Sequence, residues 1–154
     1  MTGLQAELDA VRAANEELYA AIEVGDLDRM ERLWAGGRYG PSVVCVHPGW
    51  PGLRGREAVL RSWAMIMANT SYIQFFLTDV EVELAGAVAV VSCTENILTS
   101  VGGDGTAEPG VLGGGRVVAT NVFRRTDAGW QLWVHHGSPV LSTDDDVAEA
   151  TDDE

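Results

Sequence analysis

The stretch from Val117 to Pro139, VVATNVFRRTDAGWQLWVHHGSP, constrains the fold more than any other part of the chain. Two alternating runs flank Asp127-Ala128-Gly129, where a glycine is available for positive φ, and this pattern predicts a β-hairpin. Asn121 falls among Val117, Ala119 and Phe123, while His135 and His136 follow Trp130, Leu132 and Val134. Polar groups in strands this apolar need buried partners or line a cavity. The hairpin therefore points to a one-domain protein with a pocket.

The rest of the chain supplies the frame. Leu4, Leu8, Val11, Leu18 and Ile22 recur at helical spacing and predict a first helix to about Val24. Gly25 ends it, and Asp26 caps a second helix carrying Leu27, Met30, Leu33 and Trp34. Pro41 breaks the chain before a short strand, Val43 to His47, and HPGWPGLRG then reads as an irregular turn. A third helix runs from about Arg56 to Met67 and ends near Asn69. Period-two alternation then predicts four long strands: Tyr72 to Leu84, Ala87 to Thr99, Gly115 to Thr126 and Trp130 to Val140. The intervening SVGGDGTAEPGVLGGG reads as a mobile connector or lid. It lacks the lysine of a P-loop and the strand–turn–helix setting of a dinucleotide fingerprint. Helices leading into a long antiparallel meander imply an α+β architecture, its sheet curled around the helices over a conical hollow.

Composition excludes several function classes. All ten basic residues are arginine, so lysine Schiff-base chemistry and pyridoxal phosphate attachment are ruled out. The formal charge is −13, of which residues 142–154 contribute seven acids and no base. We read 1–141 as the folded domain and 142–154 as a disordered, solvating acidic tail. No basic stripe exists to neutralise phosphates, so nucleic acid is not an expected partner. No apolar run approaches the roughly 18 residues of a membrane span, and the first residues lack the pattern of a secretory signal, so the expected location is cytoplasmic. Cys45 and Cys93 lie apart in apolar strands and read as small buried hydrophobes.

The segments HPGWPGLRGREAVLRSW and ATNVFRR…GWQLWVHHGSP, in the order helix–helix–strand–helix–long strands, resemble the nuclear transport factor 2-like superfamily, within it the SnoaL-like branch related to ketosteroid isomerases. The resemblance covers roughly residues 5 to 140. It implies a conical α+β barrel, dimeric through the outer face of the sheet. Members include isomerases, dehydratases, epoxide hydrolases and polyketide cyclases, beside non-catalytic binding and assembly modules, so the fold does not choose the function. In the family's terminal motif three histidines often precede Ala-Ser-Pro. This chain has Val134 in the first histidine place, then His135, His136 and Gly137-Ser138-Pro139. It matches neither the Asp-based pair of steroid isomerases nor the Asp–Arg–Asp set of epoxide hydrolases.

Candidate site residues follow. Glu95 lies in the apolar strand VVSCTENIL, in phase with Val91, Cys93 and Ile97. Burial would lift its pKa toward the range of a general base, unless Arg116 or Asn121 holds it as a structural carboxylate. His47, at a strand end beside Pro48-Gly49-Trp50, suits proton transfer or pins a turn. In a regular strand His135 shares a side with Trp133, and His136 with Leu132 and Val134, so only one of the two histidines enters the interior. Their spacing is not that of a metal site. Asn121 can donate and accept at once and so orient a ligand or a carboxylate. By the resemblance, Trp34, Trp50 and Trp63 surround the cone mouth, and Tyr39 supplies a phenol hydrogen bond. The resulting expectation is a cofactor-independent proton-transfer enzyme, isomerase, dehydratase or cyclase in type. Its substrate would be a small, largely apolar carbonyl or hydroxyl compound, with Glu95, His47 and His135 catalytic. The alternative is a ligand-binding or dimerisation module without turnover.

Overall fold

The computed structural model describes residues 2–100 and 112–141; the acidic tail and the centre of the glycine-rich connector lie outside the described residues. Helix α1 spans Thr2–Val24, and α2 spans Leu27–Leu33. Gly25 at φ 66° turns the chain between them, and the Asp26 carboxylate accepts from the Arg29 amide at 3.1 Å. This caps an otherwise unpaired donor of α2. Strands β1 (Val44–Val46) and β2 (Leu53–Arg54) precede α3 (Arg56–Ala68). The long strands are β3 (Ile73–Ala85), β4 (Val88–Ser100), β5 (Leu112–Thr126) and β6 (Gly129–Pro139). Two short elements escape the sequence reading: a 3-10 turn over Gly37–Ser42, and β2 inside the glycine- and proline-rich turn.

The strands form one curved, unclosed sheet in the order β2-β1-β6-β5-β4-β3. Only β1 and β6 run parallel; the other neighbours are antiparallel. Two irregularities bend it. In β3 the register slips between Thr78 and Glu81, where Asp79 adopts φ 55°. Aspartate tolerates this left-handed conformation better than most residues. In β6 the register slips so that Val122 pairs Val134 but Phe123 pairs Leu132, leaving Trp133 bulged.

The concave face packs on α1, which buries Val11, Leu18, Ala21 and Ile22. Leu4 is exposed, so the core stripe begins later than the leucine spacing predicts. Burying each of the larger side chains is worth about 1.5–3 kcal/mol. Arg29 on α2 makes a fork to Glu17 of α1, with 2.9 and 2.7 Å bonds, and fixes the two helices together. Glu7 of α1 receives Trp130 Nε1 at 2.6 Å and Arg125 at 3.1 Å, tying the helix to the β5–β6 hairpin. Cys45 and Cys93 are free and buried. No helix among the described residues is long and apolar enough to cross a membrane.

Candidate functional site

Along β4 the residues Ala89, Val91, Cys93 and Glu95 are buried in turn, so alternation carries the carboxyl onto the concave face. Its hydrogen-bond partner among the described residues is Tyr19 of α1, whose hydroxyl donates to Glu95 Oε2 at 2.6 Å. Tyr19 in turn accepts from Asn121 Nδ2 at 3.1 Å, and that same amide nitrogen donates to Asn15 Oδ1 at 2.8 Å. Asn121 Oδ1 faces His135 Nδ1 at 2.5 Å across the β5–β6 ladder, where the two residues are direct partners. Glu95, Tyr19, Asn121 and His135 thus form one hydrogen-bonded chain, each residue no more than 4% exposed.

Hydrogen positions follow from the bonding pattern. Asn121 Oδ1 is an acceptor only, so His135 carries its proton on Nδ1 and leaves Nε2 with a lone pair. Ser62 Oγ donates to Val59 O at 2.7 Å, so it accepts from His47 Nε2 at 2.8 Å and leaves His47 Nδ1 as the unprotonated nitrogen. The rings of His47 and His135 both pack on Trp63, with centroids 4.7 and 5.8 Å away, and Trp50 closes on His47 at 4.8 Å. Trp63 Nε1 is buried without a hydrogen-bond partner, although the Cys45 sulfur lies nearby.

Burial governs the charges. It pushes the Glu95 carboxyl up to about 7, even though the Tyr19 bond pulls the other way. It lowers His47 to about 4 and His135 to about 3, the latter helped by the neighbouring histidines His47 and His136. It also raises the Tyr19 phenol, with the Glu95 charge adding to the effect. At neutral pH the site therefore holds two neutral imidazoles and a carboxyl poised between its forms.

The structure brings Glu95, His47, His135, Asn121, Trp50 and Trp63 into one connected cluster and leaves three predicted residues outside it. The bulge at Trp133 corrects the expected phase of β6. Leu132 and His135, three apart, both face inward, and His136 is exposed on the other side. Trp34 is fully buried in the core, its backbone bridging Leu132. Tyr39 packs instead against Trp133 at 6.1 Å and beneath the Arg124 guanidinium at 4.4 Å. Sequence reasoning missed Tyr19 and Asn15. A buried asparagine in the register of Val11 and Leu18 is the signal that marks this helix face as more than core. Two clefts of about 520 and 530 Å³ lie elsewhere. One is lined by Phe76, Asn96, Leu98 and Arg116, the other by Arg54, Arg56 and Arg61.

Helices set against the concave face of a curved six-stranded sheet, with a polar chain inside the apolar strands, define a nuclear transport factor 2-like cone protein. The chain belongs to the SnoaL-like domain family, whose model matches residues 11–142. A crystal structure from Streptomyces avermitilis, described as a candidate dehydratase of the NTF2-like family, is 52% identical. It covers 90% of this chain and 99% of its own, with a TM-score of 0.82. A candidate calcium/calmodulin-dependent protein kinase type II association domain from Thiobacillus denitrificans is 31% identical, covering 84% and 94%, with a TM-score of 0.68. The F-box protein SKIP8 of Arabidopsis thaliana is 26% identical over 136 residues, which is 88% of this chain and 52% of that protein. The chain thus spans about half the length of this curated relative.

Proposed function

We propose that the protein is a cofactor-independent proton-transfer enzyme acting on a small, largely apolar carbonyl or hydroxyl compound, of dehydratase, isomerase or cyclase type. The observation that carries this reading is the buried chain from Glu95 through Tyr19 and Asn121 to His135. Such a chain holds a neutral imidazole in one tautomer with Nε2 as its basic atom. His135 would take the proton, and His47 Nδ1, across Trp63, would be the second acid/base group. Glu95 is screened by Tyr19 and acts on the histidine rather than on the substrate. The Trp63 Nε1–H, which has only the Cys45 sulfur beside it, offers a donor to a substrate oxygen, and Trp50 covers the apolar part. The 52% identical relative described as a candidate dehydratase supports a reaction of this class.

The same proposal includes a homodimer through the outer sheet face, where Phe76, Val90 and Val118 are exposed. A second reading is a ligand-binding or dimerisation module without turnover. It is favoured by the 31% identical relative described as an association domain, and by the hydrogen bond that already satisfies Glu95.

A panel of small enolisable ketones and β-hydroxy carbonyl compounds, incubated in D₂O and followed by proton NMR, separates the two readings. Deuterium uptake or loss of water that disappears in His135→Gln supports the enzyme. Line broadening of panel members without exchange, equal in wild type and His135→Gln, supports the binding module.

A further inference from the structure

Each link of the buried chain is directional, and the direction is set at its carboxyl end. An ionised Glu95 only accepts, so Tyr19 must donate to it, and the Tyr19 oxygen must then accept from Asn121 Nδ2. That turns Asn121 Oδ1 toward His135, which must present Nδ1–H. A protonated Glu95 has a hydrogen to donate, and every link can run the other way. The Glu95 hydroxyl donates to Tyr19, and Tyr19 donates to Asn121 Oδ1 once that amide has turned over. Asn121 Nδ2 then donates to His135 Nδ1. The amide of Asn15, already bonded to Asn121, turns with it, giving up its bond to the Cys93 thiol, and donates to the same oxygen. Asn121 is the one member of the chain that exchanges donor for acceptor by rotating in place, at almost no change in shape.

We propose that Asn121 is a polarity switch: the charge on Glu95, carried through Tyr19 and Asn121, decides which nitrogen of His135 bears the proton. This decides whether Nε2 is an acceptor or a donor. With Glu95 ionised, Nε2 is a base; with Glu95 protonated, Nε2–H is a donor. In the change the imidazole gains a proton at Nε2 and releases one from Nδ1 to solvent, keeping its own charge. The one proton gained overall resides on Glu95. A single histidine then presents Nε2 as a hydrogen-bond acceptor in one state and Nε2–H as a hydrogen-bond donor in the other, without changing its own charge. This assignment rests on the proposed role of His135 but concerns the resting protein alone.

Few other groups intrude. Glu95 faces Tyr19 from α1, whose hydroxyl also lies 3.6 Å from Cys93 Sγ, and Cys93 from its own strand; its ladder partners are Leu77 and Val117. His135 has His47 and His136 as titratable neighbours, and Trp63 from α3. Among the described residues none of these brings a permanent charge to the chain.

The chain's three histidines make the test direct. Long-range proton–nitrogen NMR of uniformly ¹⁵N-labelled protein reports which imidazole nitrogen is protonated, and His135→Gln identifies the resonances. At pH 8.5 wild type should show His135 protonated on Nδ1, and Glu95→Gln, whose amide nitrogen can donate to Tyr19 as a protonated carboxyl does, should show it on Nε2. Lowering the pH to 5.5 should move wild type toward the Glu95→Gln pattern and leave Glu95→Gln unchanged. Tyr19→Phe should cut the connection, so that Glu95→Gln made in that background no longer alters the tautomer. The same tautomer in wild type and Glu95→Gln at both pH values would overturn the switch, as would an effect of Glu95→Gln that survives Tyr19→Phe. Neither result depends on turnover, so a silent substrate panel and a silent switch remain separate outcomes.

Discussion

Tyr19 and Glu95, 76 positions apart, share a 2.6 Å hydrogen bond that joins the first helix to the fourth strand inside the core. Removing the phenol hydroxyl in Tyr19→Phe deprives the carboxylate of its donor and Asn121 of one acceptor. The Tyr19 bond lowers the Glu95 pKa, so its loss should raise that pKa further. Chemical denaturation should show a loss of about 1–3 kcal/mol, larger at pH 8.5 than at pH 5.5, because the unsupported group is costly only when ionised.

The pH dependence of stability follows from three groups. The folded-state pKa of Glu95 is raised from 4.5 to about 7, so its contribution is full below pH 4.5 and is lost as the pH rises through 7. Glu95→Gln should therefore gain on wild type by about 2–3 kcal/mol between pH 4.5 and 7.5. The folded-state pKa values of His47 and His135 are lowered, from 6.5 to about 4 and about 3, so their contribution is present above pH 6.5 and is lost as the pH falls toward those values. Urea melts across this range should show wild-type stability rising to a plateau near pH 7. Replacing either histidine by glutamine should flatten the acid limb, whereas Glu95→Gln should steepen it between pH 4.5 and 7.

Gly137 stands where the family motif often has alanine, and the structure supplies a reason. A Cβ there would lie 3.0 Å from Val117 Cγ1 and 3.1 and 3.3 Å from Pro48 Cγ and Cδ. Val117 is buried in the sheet, while Pro48 follows His47 and is exposed. Gly137→Ala should cost about 1–3 kcal/mol in thermal or denaturant unfolding, and Pro48→Ala in the same chain should recover part of that loss.

Much of the frame is written in local pattern. The helices, the four long strands and the Asp26 cap announce themselves by period and by turn chemistry, and the inward phase of Glu95 follows from Val91 and Cys93. Asn121 and His135 stand out because polar groups are rare on such strands. The remainder depends on events that leave no local mark. The bulge at Trp133 puts Leu132 and His135 on one side, contrary to strict alternation, and register slips of this kind are decided by packing between strands. Tyr19 and Asn15 were hidden in a helix read from its leucines, and their partners lie at least 74 positions away. The resemblance assigns Tyr39 a phenol hydrogen bond, whereas its ring packs against Trp133 and beneath Arg124.

Glu95 is a buried carboxyl near its midpoint at neutral pH, at the head of a chain ending on His135. Carbon-13 NMR of the glutamate side-chain carboxyls, with the Glu95 signal identified by its absence in Glu95→Gln, measures this directly. Wild type should show a midpoint near pH 7 and Tyr19→Phe a higher one. A midpoint near 4.5, unmoved by Tyr19→Phe, would mean an ordinary ionised carboxylate without connection to Tyr19, and would contradict this.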